Sequence, residues 1–168
     1  IKTLSDIENC LFTGCEKIIL NSILYENPRF LSEAVKSFGS QSITVSIDVR
    51  LVNDEYKIFN HINNKIEAIN LFDYLMFCQD SSCGEIVINS VDKDGMMTGY
   101  DLDLISNLRN YIDRPFVING GCSKPKDIKD AINKGADACM AASIFYFTRY
   151  SYADIKDFLK RENISIRK

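Results

Sequence analysis

The sequence predicts an α/β fold in which five parallel strands, each followed by a helix, form part of a (β/α)8 barrel. Three observations lead there. Short apolar runs of strand length alternate with helical periodicities along the whole chain. The runs are continuously apolar, which suits a parallel sheet covered on both faces. Polar residues close them: Asn21, Asp48, Asn89, Asn119 and Ser143 stand at or just past their C-terminal ends, as groups at a barrel mouth would. A doubly wound open sheet competes, but its glycine fingerprint after the first strand is replaced here by Asn21-Ser22. Five strands do not close a ring of eight. The expectation is one domain over residues 1–168, a partial barrel lacking roughly the first three strand–helix units.

The elements follow in order. Ser5-Asp6-Ile7-Glu8 reads as a capping box that opens a helix, stopped at Gly14. Lys17 to Asn21 is the first strand. Asn27-Pro28 starts a helix whose stripe is Phe30, Leu31, Ala34, Val35 and Phe38, with Gly39 as its stop. Ile43 to Asp48 is the second strand, and alternation over residues 50–60 around Asn53-Asp54 predicts an excursion hairpin before a helix at Leu71–Gln79. Glu85 to Asn89 is the third strand, followed by the acidic, glycine-bearing loop Asp92-Lys93-Asp94-Gly95 and a helix marked by Leu104, Ile105, Leu108 and Ile112. Phe116 to Asn119 is the fourth, followed by Gly120-Gly121 and a helix with Pro125 in its first turn. Ala138 to Ala141 is the fifth, and Ile155, Phe158 and Leu159 mark a final amphipathic helix.

Composition narrows the function classes. A formal net charge of -3 provides no basic field for nucleic acid or an anionic membrane. No apolar stretch has the length of a membrane span and no signal pattern opens the chain, so a cytoplasmic protein is expected. The six cysteines, at 10, 15, 78, 83, 122 and 139, lack metal or redox spacing and read as reduced, mostly buried thiols. The single histidine, His61, lies in a polar stretch and reads as a surface residue; with it alone, a Cys-His or Ser-His-Asp hydrolase is not expected.

Candidate chemistry sits at the strand ends. Gly120-Gly121 and Ala141-Ala142-Ser143 each lead toward a helix start, where free backbone donors attract a phosphate, although glycine also serves such turns for steric reasons alone. Asp48 reads either as a general acid or base at the barrel mouth or as a solvated capping carboxylate. Glu85 begins its strand, at the opposite end from Asp48. It reads as a surface acid or as part of a bottom entrance bridging to Lys17, which also begins a strand.

A family resemblance then emerges from the runs Ile1-Lys2-Thr3-Leu4, Lys17 through Ser22, Phe38-Gly39-Ser40-Gln41-Ser42, Ser46-Ile47-Asp48, Gly84 through Gly95, Asn119-Gly120-Gly121, Gly135-Ala136-Asp137-Ala138 and Ala141 through Phe145. Collinear over nearly the whole chain, they resemble the cyclase subunit of imidazole glycerol phosphate synthase, a TIM-barrel lyase. The resemblance implies a subunit that takes ammonia from a glutaminase partner through its barrel and acts on a bis-phosphorylated small-molecule substrate, with no metal or redox cofactor. It implies that Asp48 is one of two catalytic aspartates, the other belonging to a first strand outside this sequence. Asn21 and Ser22 match one phosphate site; Asp94, Gly95, Gly121, Ala142 and Ser143 match the other; Lys17 and Glu85 match a charged ammonia gate. Three substrate-facing positions depart from the family's usual residues: Asn89 replaces a threonine, Asn119 a serine, and Arg50-Leu51 a basic pair. The opening Ile1-Lys2-Thr3-Leu4, the run Phe38-Gly39-Ser40-Gln41-Ser42 and the Asn89-Ser90 before the acidic loop look more like a paralogue that works with a dedicated glutaminase and a sugar amidotransferase in making acetamidino sugars of surface glycans, a reading placed slightly above histidine biosynthesis. The remaining alternative is a truncated, non-catalytic module that binds phosphate or a partner.

Overall fold

A computed structural model describes residues 1–166. Helix α1 (Leu4–Phe12) starts two residues earlier than the local signal suggests. Thr3 is the cap: its hydroxyl accepts from Asp6 N, while the Asp6 carboxylate accepts from Lys2 N and Thr3 N. Strand β1 (Ile18–Leu20) follows, then the short α2 (Ile23–Glu26) and α3 (Arg29–Phe38), which buries Phe30, Leu31 and Ala34. A 3-10 turn at Ser40–Ser42 leads into β2 (Ile43–Val52). Beyond Val49 this strand leaves the barrel wall as the predicted excursion, turning through Asn53 and Asp54 into β3 (Glu55–Asn60). Both turn residues have positive φ, 51° and 62°, as a two-residue hairpin with right-twisted strands requires. Strand β4 (Lys65–Ile66) pairs on β3.

Asn70 caps α4 (Leu71–Asp80), accepting from Phe72 N and Asp73 N. Strand β5 (Glu85–Ser90), α5 (Leu102–Leu108) with a 3-10 turn at Arg109–Tyr111, β6 (Phe116–Asn119), α6 (Pro125–Asn133) and β7 (Ala138–Cys139) complete the strand–helix repeats. The five-residue α7 (Ser143–Phe147) and α8 (Tyr152–Arg161) follow. All five expected strands are present and parallel, in the order β1-β2-β5-β6-β7, with β3 and β4 as the antiparallel excursion. The sheet is an open arc of barrel wall.

Register decides what each face carries. Ile18, Leu20, Ile43, Val45, Ile47, Ile86, Ile88, Phe116 and Ile118 are all nearly inaccessible and face the helix layer, which holds the apolar core. The alternate residues form the other, concave face. Cross-strand pairing sets Thr44 beside Glu85 near the strand starts, Ser46 beside Val87 and Val117 midway, and Asp48 beside Asn89 and Asn119 at the C-terminal end. Ile19 on the first strand of the arc, also on this face, is 47% exposed. Polar residues therefore collect at the C-terminal rim because the two-residue period puts them on the face that the helices do not cover. Among the described residues no helix is long and apolar enough to cross a membrane.

Candidate active site

The rim is built around Asp48, only 5% exposed, near the middle of β2. A buried carboxylate needs a donor for each oxygen, and it has them. Asn89 Nδ2 donates to Oδ1 at 2.8 Å and Asn21 Nδ2 donates to Oδ2 at 2.8 Å. Asn119 Nδ2 in turn donates to Asn89 Oδ1 at 2.9 Å, so four strand-end residues form one ladder across β1, β2, β5 and β6. Asn21 Oδ1 is buried with no partner among the described residues.

Two residues that the sequence does not place at the site belong to the same neighbourhood. His61 is 55% exposed, as a surface residue should be, yet its Nε2 lies 3.7 Å from Asp48 Oδ2. The excursion hairpin curls it there, and its ring rests edge-on against Phe59 with centroids 4.8 Å apart. Tyr25 on α2 has a buried hydroxyl with no partner among the described residues; desolvation, followed by the charges of Asp48 and Glu67, raises its pKa well above the usual phenol range. No local sequence pattern marks either residue, because both contacts depend on how the hairpin and α2 fold over the rim.

Beside the ladder lies a cavity of about 280 Å³ lined by Asp94, Asn119, Gly120, Gly121, Cys122, Met140, Ala141, Ala142 and Ser143. The two glycines are required by close packing. At Gly120 (φ +96°) a Cβ would stand 2.7 Å from Ser90 O, and at Gly121 (φ +100°) it would stand 2.3 Å from Gly99 O. The acidic loop is fixed against them: Asp94 N donates to Ser90 O at 2.9 Å and Gly99 N to Gly121 O at 2.8 Å. Tyr100 pins the far wall through its hydroxyl, which donates to Met140 O at 2.8 Å. Of the residues expected at a phosphate, Asp94, Asn119, Gly120, Gly121, Ala142 and Ser143 converge here. Gly95 lies outside the lining with open space beside it, and Ser22 stands at the start of α2 with no side-chain cap bond. Asn21 and Asn89 face Asp48.

Lys17 and Glu85 lie at the opposite end of the strands. They form an ion pair across β2, with Thr44 Oγ1 3.5 Å from Glu85 Oε2. The side chains are 44% and 26% exposed, so the pair is in the weak, solvent-screened class. Arg50 stacks on Phe59, 4.0 Å from the ring centroid, and its Nε is 3.5 Å from Asp92, an arrangement that ties β2 to the acidic loop. Among the described residues no group of three or more His, Cys, Asp or Glu is placed to hold a metal ion.

A family model described as histidine biosynthesis protein matches residues 1–151. The chain belongs to that family. Among its relatives is a Campylobacter jejuni protein provisionally named imidazole glycerol phosphate synthase subunit hisF2, 40% identical over 167 residues. Subunits HisF of the same synthase from Campylobacter concisus and Dehalococcoides mccartyi are 35% and 32% identical. Each alignment covers 99% of this chain and 66% of the relative, so the chain spans just under two thirds of their length. The likeness to the synthase's cyclase subunit read from the motifs therefore stands. All the rim and cavity residues lie inside the histidine biosynthesis family match, which ends at the start of α8.

Proposed function

We propose that this chain is part of a cyclase-type subunit of a glutamine amidotransferase in the imidazole glycerol phosphate synthase family. Asp48 is its general acid or base and the cavity at Gly120, Gly121, Ala142 and Ser143 holds one phosphate of a bis-phosphorylated substrate. The observation that carries this reading is the rim itself: a buried carboxylate, oriented by two amides, with a glycine-walled cavity two strands further along. Ammonia from a glutaminase partner enters at the Lys17–Glu85 end and travels along the concave face to Asp48. Asn21 and Ser22 serve the second phosphate, and Asp94 and Gly95 close over the first.

Between the two pathways, we place the surface-glycan role, with a sugar amidotransferase downstream, slightly above histidine biosynthesis. The motifs support it: the opening Ile1-Lys2-Thr3-Leu4, the run Phe38-Gly39-Ser40-Gln41-Ser42 and Asn89-Ser90 before the acidic loop resemble that paralogue. Turnover of the nucleotide-derived substrate of the histidine pathway with an ammonium salt, which bypasses any glutaminase, tests the reading. Turnover abolished by Asp48→Asn supports a histidine-pathway lyase. Absence of turnover with retained phosphate binding favours the ammonia relay or a non-catalytic module. Replacing Glu85 with Gln should impair glutamine-driven turnover in the complex and spare ammonia-driven turnover; equal loss in both would remove Lys17 and Glu85 from ammonia passage.

A further inference from the structure

The cations of this chain are unevenly placed. The formal net charge is -3, yet one groove beside α6 and α8 gathers five cations, Lys124, Lys126, Arg149, Lys160 and Arg161, against two carboxylates. Its volume is about 980 Å³. Both carboxylates are engaged locally. Asp154 accepts from Ser151 N at 2.8 Å and from Ser151 Oγ at 2.7 Å, and Asp157 lies 3.6 Å from Lys160. Lys126 pairs with Asp130 at 2.6 Å. Lys124, Arg149 and Arg161 are exposed and form no ion pair among the described residues, so the groove keeps an excess of positive charge on a protein that is acidic as a whole.

The spacing of these charges selects the anion. Arg149 precedes α8 while Lys160 and Arg161 end it, so the cations are spread along a ten-residue helix, about 15 Å. A single phosphate or sulfate reaches one end only. A continuous polyanion such as single-stranded nucleic acid reaches both ends but sets phosphates against Asp154 and Asp157 between them. An extended polypeptide advances about 3.3 Å per residue, so acidic pairs four or five residues apart meet both ends and leave neutral residues over the middle. There the half-buried Phe158 offers an apolar contact, and Tyr150 adds a second beside Arg149. We propose that the groove between α6 and α8 is a docking surface for an extended acidic segment of a partner protein, one with two acidic clusters about 15 Å apart around a neutral, partly apolar centre. Charge steers this partner into place and packing on Phe158 and Tyr150 retains it. The groove's role is independent of whether the rim binds phosphate.

Two fluorescent peptides of equal composition are the probes. In one, two glutamate pairs are separated by about four neutral residues, one of them leucine; in the other all the glutamates are contiguous. At low ionic strength the spaced peptide should bind the chain about tenfold tighter than the contiguous one, which reaches cations at one end only. Arg149→Glu and Arg161→Glu, at opposite ends of α8, should each weaken the spaced peptide about tenfold. Lys36→Glu, an exposed site on α3 with the same change in net charge, should weaken it less than about twofold. Equal affinity for the two peptides overturns the proposal. Equal loss in all three variants overturns it too, since the attraction would then be net charge alone. An oligothymidylate of equal charge that binds tighter than the spaced peptide would make the groove a nucleic-acid site, and self-association abolished by Arg149→Glu would make its occupant a second copy of this chain; either result rejects an acidic partner. If a reversal variant does not fold, Arg149→Ala and Arg161→Ala remove the charges without adding repulsion. Each should then weaken the spaced peptide about threefold, and no loss in either would reject the surface.

Discussion

Gly121 and Gly95 illustrate, at the scale of single residues, how similar local signals carry different constraints. Both have positive φ, but a Cβ at Gly121 meets Gly99 O at 2.3 Å whereas Gly95 has open space around it. Gly121→Ala should therefore cost about 3 kcal/mol or more, while Gly95→Ala costs only its backbone strain, about 1 kcal/mol. Urea midpoints of the two variants check this, and equal losses would contradict the close packing behind the cavity. His61 makes a different case. From sequence it is a solvated loop residue, and its 55% exposure agrees; what sequence could not supply is its position 3.7 Å from Asp48. That proximity arises from a hairpin whose curl brings together residues 13 apart. Truncating His61 to Ala should leave stability within about 0.5 kcal/mol, as measured by thermal melting. A large loss would mean that Asp48 depends on it for neutralisation.

Asp101 joins three elements. Its carboxylate caps α5 at Leu104 N (2.9 Å), accepts the Tyr56 hydroxyl of β3 (2.9 Å) and accepts Ser90 Oγ of β5 (3.2 Å). Asp101→Ala removes a cap worth about 1 kcal/mol and strands the half-buried Tyr56 hydroxyl. A loss of about 2 kcal/mol in chemical denaturation is expected, and a change below about 0.5 kcal/mol would show that the excursion hairpin is held elsewhere. Elements were legible where burial dictated composition. Strands β2, β5 and β6 are apolar because one face packs on helices, and their sequences say so. The start of α1 was misplaced because Thr3 and Ser5 both present a hydroxyl three residues before an acidic side chain. Only the geometry shows that Thr3 and Asp6 complete the reciprocal pair. Helix α2 escaped notice because four residues carry too little periodicity to register, yet it delivers Tyr25 to the rim.

The whole molecule buries one apolar core between an open arc of strands and its helices, and the thiols report on that packing. Burial pushes the Cys83 thiol up to about 11 and the Cys139 thiol up to about 12, with Cys78 displaced in the same direction. The folded state thus keeps protons that the unfolded chain releases near the ordinary thiol value of 9.0. This contribution is complete below that value and is lost as pH rises through the folded values. Urea midpoints should fall between pH about 8 and about 10.5; a constant midpoint would show that the thiols are not held neutral. The sheet edges are shorter than the partial-barrel expectation implied, three residues in β1 and two in β7. The open arc leaves Ile19 and Met140 exposed, 47% and 39%. Barrel architecture was readable from strand-end residues, whereas the ladder joining them was not, since it depends on strand register. The most direct test of the rim as a phosphate-binding active site is a titration of the chain with inorganic phosphate, followed by backbone amide shifts. The account predicts that the largest shifts converge on Gly120, Gly121, Ala142 and Ser143 and extend to the Asn119 side chain; shifts confined to other surfaces, or none, would contradict it.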